Sequence, residues 1–191
     1  STQQMAENRK VTPLPVQLPM GREEAFAGII DLITMEAVYF EGANGENIRR
    51  VAIPAEYEEA AKDARNHMLE TLSLFSDELM MALLEEAEVS EDEIRKLIRE
   101  ATIGHEIVPV LMGTAFRNKG VQLALDAVVH YLPSPLDREM TAIDVSKQKP
   151  GQETPEGEVR RVPLESSDDK PMVAMAFKTV VETFGQLTYF R

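Results

Sequence analysis

The sequence contains no cysteine, and no stretch of it approaches 18 consecutive apolar residues. The absence of cysteine excludes disulfide bonds and thiolate zinc sites, and it favours a cytosolic protein. Without a long apolar run, no transmembrane helix is expected. No charged leader followed by an apolar segment is present, so secretion is not expected. The composition therefore favours a cytoplasmic protein that does not bind membranes.

Basic residues are scarce. The chain has 20 Lys and Arg against 33 Asp and Glu, which gives a net charge of −13. Such a chain is not expected to hold RNA or DNA through a broad basic surface. If it meets a ribonucleoprotein, we expect the contact to be with a basic protein component. The alternative, that the acidity only confers solubility, remains open.

The usual residues of a phosphate or metal site are also missing. The pattern Gly-x-x-x-x-Gly-Lys-Ser/Thr does not occur, so no phosphate-binding loop is expected. The histidines His67, His105 and His130 are scattered and lack the spacing of metal ligands. We therefore predict no catalytic residue and no metal ligand in this chain.

The first half of the sequence predicts a small antiparallel sheet followed by helices. Residues 15–53 contain strand-like runs around Asn44-Gly45, a strong hairpin signal, and the prolines of "PLPVQLPM" suit an edge strand. Ser76 can cap one helix, and the "SEDE" at Ser90 forms a capping box for the next. Helical spacing predicts three buried lines: Tyr57, Ala61, Ala64, Met68 and Leu72; Phe75, Leu79, Leu83 and Ala87; and Ile94, Leu97, Ile98 and Ala101.

A strand, a loop and a helix follow. The continuous apolar run Ile107 to Met112 suits a strand buried on both faces of a parallel sheet, yet the pattern offers no second such strand nearby. "GTAFRNKG" then leads into a helix from Gly120 to Leu132, which should bury four apolar side chains: Val121, Leu125, Val128 and Leu132.

The last part of the sequence changes in composition. Residues 137–170 are rich in Pro, Gly, Glu, Ser and Asp, which predicts a linker or long surface loop. Two strand-like runs follow, Val173 to Val180 and Gln186 to Phe190. Two strands cannot form an independent core, so we expect the sequence to be truncated at this end.

Three segments together resemble bacterial elongation factor G, a translational GTPase. They are "PVQLPMGREEAFAGIIDLITMEAVYF", "GTAFRNKGVQLALDAVVHYLPSPLD" and "PMVAMAFKTVVETFGQLTYFR". The resemblance implies an α/β fold: an α+β insert, the C-terminal strand-loop-helix of a P-loop GTPase domain, and the start of a β-barrel. It divides the chain into a GTPase-domain tail (1–10), the inserted subdomain (11–106), the C-terminal part of the GTPase domain (107–137), a linker (138–170) and the first strands of domain II (171–191).

The resemblance also implies a nucleotide role for one loop. Gly113, Thr114, Ala115 and Phe116 match the family's last guanine-binding motif, with Thr where Ser is more usual. The small residue lets backbone amides approach the base carbonyl, and the apolar neighbour shields the contact. Asn118-Lys119 is not the base-specificity motif, because Val121 stands where that motif has Asp. The other motifs would precede Ser1, so the parent would bind GTP and Mg²⁺ while the chain alone is expected to bind neither and to be inactive.

The implied function is GTP hydrolysis that drives tRNA-mRNA movement on the ribosome. The implied partner is the basic C-terminal domain of the ribosomal stalk protein, met by Asp77, Glu78 and Glu85. Leu74 and Met81 stand where we expect the family to be acidic. Two alternatives remain open: a stand-alone acidic α/β interaction module, and a related translational GTPase such as a release or recycling factor.

Overall fold

The computed structural model describes residues 12–137, 139–144 and 161–191, so the predicted tail at residues 1–10 lies outside the described part. The described residues divide into two compact units, with the division between Leu132 and Pro133. The strands of the first unit are β1 (Thr12–Pro15), β2 (Gln17–Met20), β3 (Gly28–Asp31), β4 (Glu36–Glu41), β5 (Asn47–Val51) and β6 (Ile107–Val110). Its α-helices are α1 (Ala55–Ser73), α2 (Asp77–Leu84), α3 (Glu91–Ile103) and α4 (Val121–Tyr131).

The predicted antiparallel sheet is confirmed, in the order β2-β3-β4-β5. β3 and β4 are separated by a turn in which Met35 has a φ of 55°, and β4 and β5 are joined through the predicted Asn44-Gly45 loop. β2 forms one edge of this sheet, as its prolines suggested. The two central strands, β3 and β4, bury Ile29, Ile30, Ala37 and Val38 completely.

The parallel partner of β6 is a strand that the sequence pattern did not identify. "PLPVQLPM" is divided between two strands, and β1 pairs parallel with β6, with Leu14 opposite Pro109. The amide of Val16 donates to Val110 O at 3.1 Å, so alternation along the strand directs the nitrogens of Pro13 and Pro15 away from β6. The prediction that "PLPVQLPM" is one strand was wrong, because prolines at alternate positions leave every second donor available for pairing.

The helices α1, α2 and α3 pack against the sheet in the main core. Both predicted serine caps are present: Ser76 Oγ accepts from Leu79 N at 3.2 Å and Ser90 Oγ accepts from Glu93 N at 3.3 Å. α1 and α3 bury most of their predicted lines in this core, whereas α2 buries only Leu79. The bounds of α2 explain the difference. The helix ends at Leu84, so Ala87 lies beyond it, and Phe75 precedes its N-cap residue.

α4 buries the opposite face from the one predicted. Leu123, Ala127 and Tyr131 are buried, while Leu125, Val128 and Leu132 are exposed. The helix is apolar on both sides, so periodicity alone did not determine which side faces the core. Arg99 of α3 fixes the end of α4 by donating to the carbonyl oxygens of His130 and Leu132, each at 3.0 Å.

The second unit consists of two strand pairs. β7 (Met140–Ile143) pairs antiparallel with β8 (Arg161–Leu164), and β9 (Ala176–Glu182) pairs antiparallel with β10 (Gly185–Phe190). The strands β7 and β8 lie within residues 138–170, which the composition predicted to be a linker or long surface loop. Thr141, Ile143 and Val162 favour strands, and a compositional average over the segment obscures them. No closed barrel is present among the described residues.

Arg65 joins α1 to the β3–β4 turn. Its Nη1 donates to Leu32 O at 2.6 Å and to Ile33 O at 2.7 Å, both in a partly buried setting. Replacement of Arg65 by Met would keep the apolar stem but leave the two carbonyls without this donor. We predict that Arg65→Met lowers the free energy of unfolding by about 2 kcal/mol in urea titrations. Lys62→Met, at an exposed position of the same helix, should change it by less than about 0.5 kcal/mol; equal effects of the two substitutions would contradict the role given to Arg65.

Candidate functional site

The loop that follows β6 is a tight, exposed turn between two glycines. Thr114 N donates to Lys119 O at 2.9 Å and Lys119 N donates to Thr114 O at 3.1 Å, which closes the loop at its base. Between them a 3-10 turn runs from Ala115 to Arg117, and Asn118 follows in the left-handed region with a φ of 52°. The residues matched to the guanine motif therefore lie together at the carboxyl end of a parallel strand, directly before α4.

The base of the loop requires glycine at two positions. A Cβ at Gly113 would lie 2.6 Å from Lys119 O, and a Cβ at Gly120 would lie 2.7 Å from Met112 O. Gly120 also has a φ of +87°, which other residues adopt only with strain. The two chain segments thus approach each other as closely as backbone allows, and this holds the tip of the loop away from the core.

The tip presents backbone donors to solvent. Arg117 N and Asn118 N are bonded within the turn, to Thr114 O and Ala115 O. Among the described residues, by contrast, the amide N–H groups of Ala115 and Phe116 have no backbone acceptor. Ala115 and Gly113 are exposed, and the ring of Phe116 is fully exposed. The arrangement can donate two hydrogen bonds to a planar ligand carbonyl and cover the ligand with an aromatic ring.

The strand that supports the loop is completed by a side chain. At Val16 the chain turns from its pairing with β6 towards the antiparallel sheet. The Val16 carbonyl accepts from Leu32 N at 3.1 Å. The buried side chain of Gln17 replaces the missing backbone acceptor: its Oε1 accepts from Met112 N at 2.8 Å. Sequence reasoning missed Gln17, because nothing in the pattern marks a glutamine that substitutes for one step of a strand ladder.

The predicted partner-binding carboxylates lie on and beside α2. Asp77 and Glu78 are exposed in its first turn, and Glu85 is exposed at its C-cap. Glu78 and Glu85 are seven residues apart, so they project from the same side of the helix. Within the described part of the chain none of the three forms an ion pair. The structure therefore brings Glu78 and Glu85 to one face and leaves both charges available.

Apolar side chains are exposed along with these carboxylates. Leu74, Met81 and Leu84 are 71%, 55% and 75% exposed. Met81 lies between Glu78 and Glu85 on the helix surface, at the spacing i+3 from the first. This combination of acidic and apolar groups is called the α2 face below, and it consists of Leu74, Glu78, Met81, Leu84 and Glu85. Asp77 lies at its margin.

The described residues show neither a cluster of metal ligands nor a membrane-spanning helix. In the described ranges no group of three or more His, Asp or Glu side chains is placed to hold a metal ion. No helix in those ranges is long and apolar enough to cross a membrane.

Comparison with family models gave no match. Curated relatives, however, match the chain from end to end. It is 45% identical over 189 residues to elongation factor G of Rhodopirellula baltica, which covers 99% of this chain and 26% of that protein. It is 45% identical over 178 residues to elongation factor G 1 of Syntrophus aciditrophicus, covering 93% of this chain and 24% of that protein. It is 42% identical over 191 residues to elongation factor G 1 of Desulfotalea psychrophila, covering 100% of this chain and 26% of that protein.

A solved structure supports the fold. The chain is similar to a crystal structure of a Thermus thermophilus protein, with a TM-score of 0.69 and 22% sequence identity. The match covers 99% of this chain and 24% of the Thermus chain. The chain spans about a quarter of the length of the curated relatives it matches. Over nearly its whole length, the chain is homologous to one segment of elongation factor G.

Proposed function

We propose that this chain is a segment of a translational GTPase of the elongation factor G type, in which the loop Gly113–Phe116 contacts the guanine base. The observation that carries the proposal is the exposed loop tip, where the amides of Ala115 and Phe116 have no backbone acceptor in the described part of the chain. Identity of 42–45% to elongation factor G over this region supports it. The longer protein would act in the cytoplasm, hydrolysing GTP to move tRNA and mRNA through the ribosome.

The chain's own contribution to the nucleotide site is recognition of the base. The amides of Ala115 and Phe116 donate to the base carbonyl, Gly113 and Ala115 leave room for its edge, and Phe116 covers it. Phosphate contacts and the Mg²⁺ that neutralises the phosphates belong to parts of the longer protein outside this chain. The isolated chain is therefore proposed to be inactive as a GTPase.

The domain organisation follows the same proposal. Residues 11–106 form the inserted subdomain, and 107–137 complete the GTPase domain. Residues 138–170 connect it to the second domain with the strands β7 and β8 at their ends, and 171–191 supply the first strands of that domain. The exposed apolar side of α4, with Leu125, Val128 and Leu132, suits packing against the remainder of the GTPase domain.

The α2 face is the proposed contact with the ribosome, through the basic C-terminal domain of the stalk protein. Glu78 and Glu85 supply the charge, and the exposed side chains of Leu74, Met81 and Leu84 supply apolar area. Acidic positions at the edge of such a contact mainly raise the association rate, whereas apolar anchors slow dissociation. The stand-alone interaction module and the release or recycling factor have no observation in their favour.

We predict that Ala115→Pro in the longer protein weakens GDP binding on the order of tenfold, because it removes one hydrogen-bond donor to the base. The substitution suits the fold, since Ala115 opens a 3-10 turn, its amide has no backbone acceptor, and Thr114 has an extended ψ of 99°. Ala115→Ser keeps the amide and is the control. Fluorescent-nucleotide titration measures both.

Equal affinity of Ala115→Pro and wild type would contradict the role of this amide. The isolated chain should show no measurable GDP binding in the same titration, because phosphate contacts are absent from it. Micromolar binding by the isolated chain would contradict the proposal that the affinity for GDP requires phosphate contacts made outside this chain.

The contact through the α2 face is tested by charge reversal. We predict that Glu78→Lys slows association with the purified stalk C-terminal domain severalfold at low salt and has a smaller effect at moderate salt, because the attraction is screened. Glu59→Lys makes the same charge change at an exposed position of α1 and should have little effect. Met81→Asp should mainly raise the dissociation rate, since it removes apolar contact area. Equal rates for Glu78→Lys and Glu59→Lys, or no binding at low salt, would refute the assignment.

A further inference from the structure

The loop between β4 and β5 contacts the residues that directly follow Gly113–Phe116, the loop called the guanine-contacting loop below. Asn118 Nδ2 donates to Asn44 O at 2.9 Å, and Gln122 Nε2 donates to Gly45 O at 3.0 Å. The two pairs are separated by 74 and 77 residues in the chain. Asn118 ends the 3-10 turn and Gln122 lies in the first turn of α4, so the hydrogen bonds hold the loop just after its tip.

The contact is close as well as polar. A Cβ on Gly45 would lie 3.0 Å from Arg117 O and 3.2 Å from Asn118 O, so the two loops touch backbone to backbone. Below them a separate apolar cluster joins the sheet to α4 through Ile29, Val38, Phe40 and Leu123, with Met112 packed against it. The β4–β5 loop therefore lies against the segment 112–122 through close backbone contact at Gly45 and two hydrogen bonds, while the apolar cluster joins the adjacent strands to α4.

The β4–β5 loop has its own internal support. The carboxylate of Glu46 accepts from Asn44 N at 2.8 Å. Hydrogen bonds from the backbone of Glu46 itself, and then from Asn44 and Ala43, lower the pKa of the Glu46 carboxyl, so it is ionised and bonded to the loop at neutral pH. The carbonyl groups of Asn44 and Gly45 are therefore presented to Asn118 and Gln122 by a loop of defined shape.

We propose that the β4–β5 loop is a brace that fixes the position of the guanine-contacting loop, with Asn118 and Gln122 as its positioning residues. The nucleotide consequence of this inference rests on the proposed function of Gly113–Phe116. Neither positioning residue touches the base. They restrict the motion of the segment that carries the Ala115 and Phe116 amides. Loss of the brace therefore increases the conformational cost of presenting these amides to the ligand.

The test uses isosteric variants that cannot donate. Asn118→Asp and Gln122→Glu keep size and shape, and Asp tolerates the left-handed backbone of position 118. Asn66→Asp makes the same chemical change at an exposed position of α1 and is the matched control. Amide hydrogen exchange, followed by NMR in this chain, reports the Thr114 and Lys119 amides that close the loop.

We expect the double variant Asn118→Asp/Gln122→Glu to exchange at Thr114 and Lys119 on the order of tenfold faster, because two hydrogen bonds are lost and each new carboxylate faces the carbonyl oxygen that the amide had bonded. Core amides of α1 and α3 should be unchanged, which separates a local brace from a general loss of stability. In the longer protein, the same variant should release GDP severalfold faster, and Asn66→Asp should behave as wild type.

Wild-type exchange rates at Thr114 and Lys119 in the double variant would overturn the brace. Faster exchange there together with unchanged GDP release would overturn its link to the guanine contact. If the wild-type longer protein binds no guanine nucleotide, the proposed function fails, and the exchange comparison still decides whether the β4–β5 loop positions its neighbour.

Discussion

The parallel pairing of β1 with β6 is the constraint on which the rest of the first unit depends. It places the start of the described chain beside the strand that leads into the candidate site, so that Gln17 and Met112 are hydrogen-bonded although they are 95 residues apart. The chain between β1 and β6 therefore begins and ends at this strand pair. The antiparallel sheet and the helices α1 to α3 lie between the two strands in the chain, and the loop Gly113–Phe116 follows β6.

The junction at Val16 explains why the antiparallel sheet and the candidate site are connected. Val16, between β1 and β2, donates to Val110 O and accepts from Leu32 N, so one residue is hydrogen-bonded to both sheets. Gln17 then continues the ladder with its side chain, and the β4–β5 loop returns to the segment after β6 through Asn44 and Gly45. The candidate loop is thus contacted before it by Gln17 and after it by the β4–β5 loop, while the α2 face of the same unit is exposed.

Local signals in the sequence identified most of the fold, and features set by tertiary contacts were missed. Asn44-Gly45, Ser76 and Ser90 were correctly interpreted, because turns and caps are determined by a few neighbouring residues. The buried side of α4 was wrong, because Leu125 and Leu123 are equally apolar and only the partner surface distinguishes them. The partner of β6 was missed because Pro13 and Pro15 suggested an edge strand and concealed a pairing strand. The contacts of Asn118 and Gln122 use backbone carbonyl acceptors, which leave no mark on the residue types at positions 44 and 45.

The central claim, that Gly113–Phe116 contacts the guanine base, is tested most directly by photolabelling the longer protein with an azidoguanine nucleotide and mapping the modified peptides. Our account predicts that label appears within residues 113–119 and is competed away by GDP but not by ADP. Specific label confined to peptides outside this loop would contradict it.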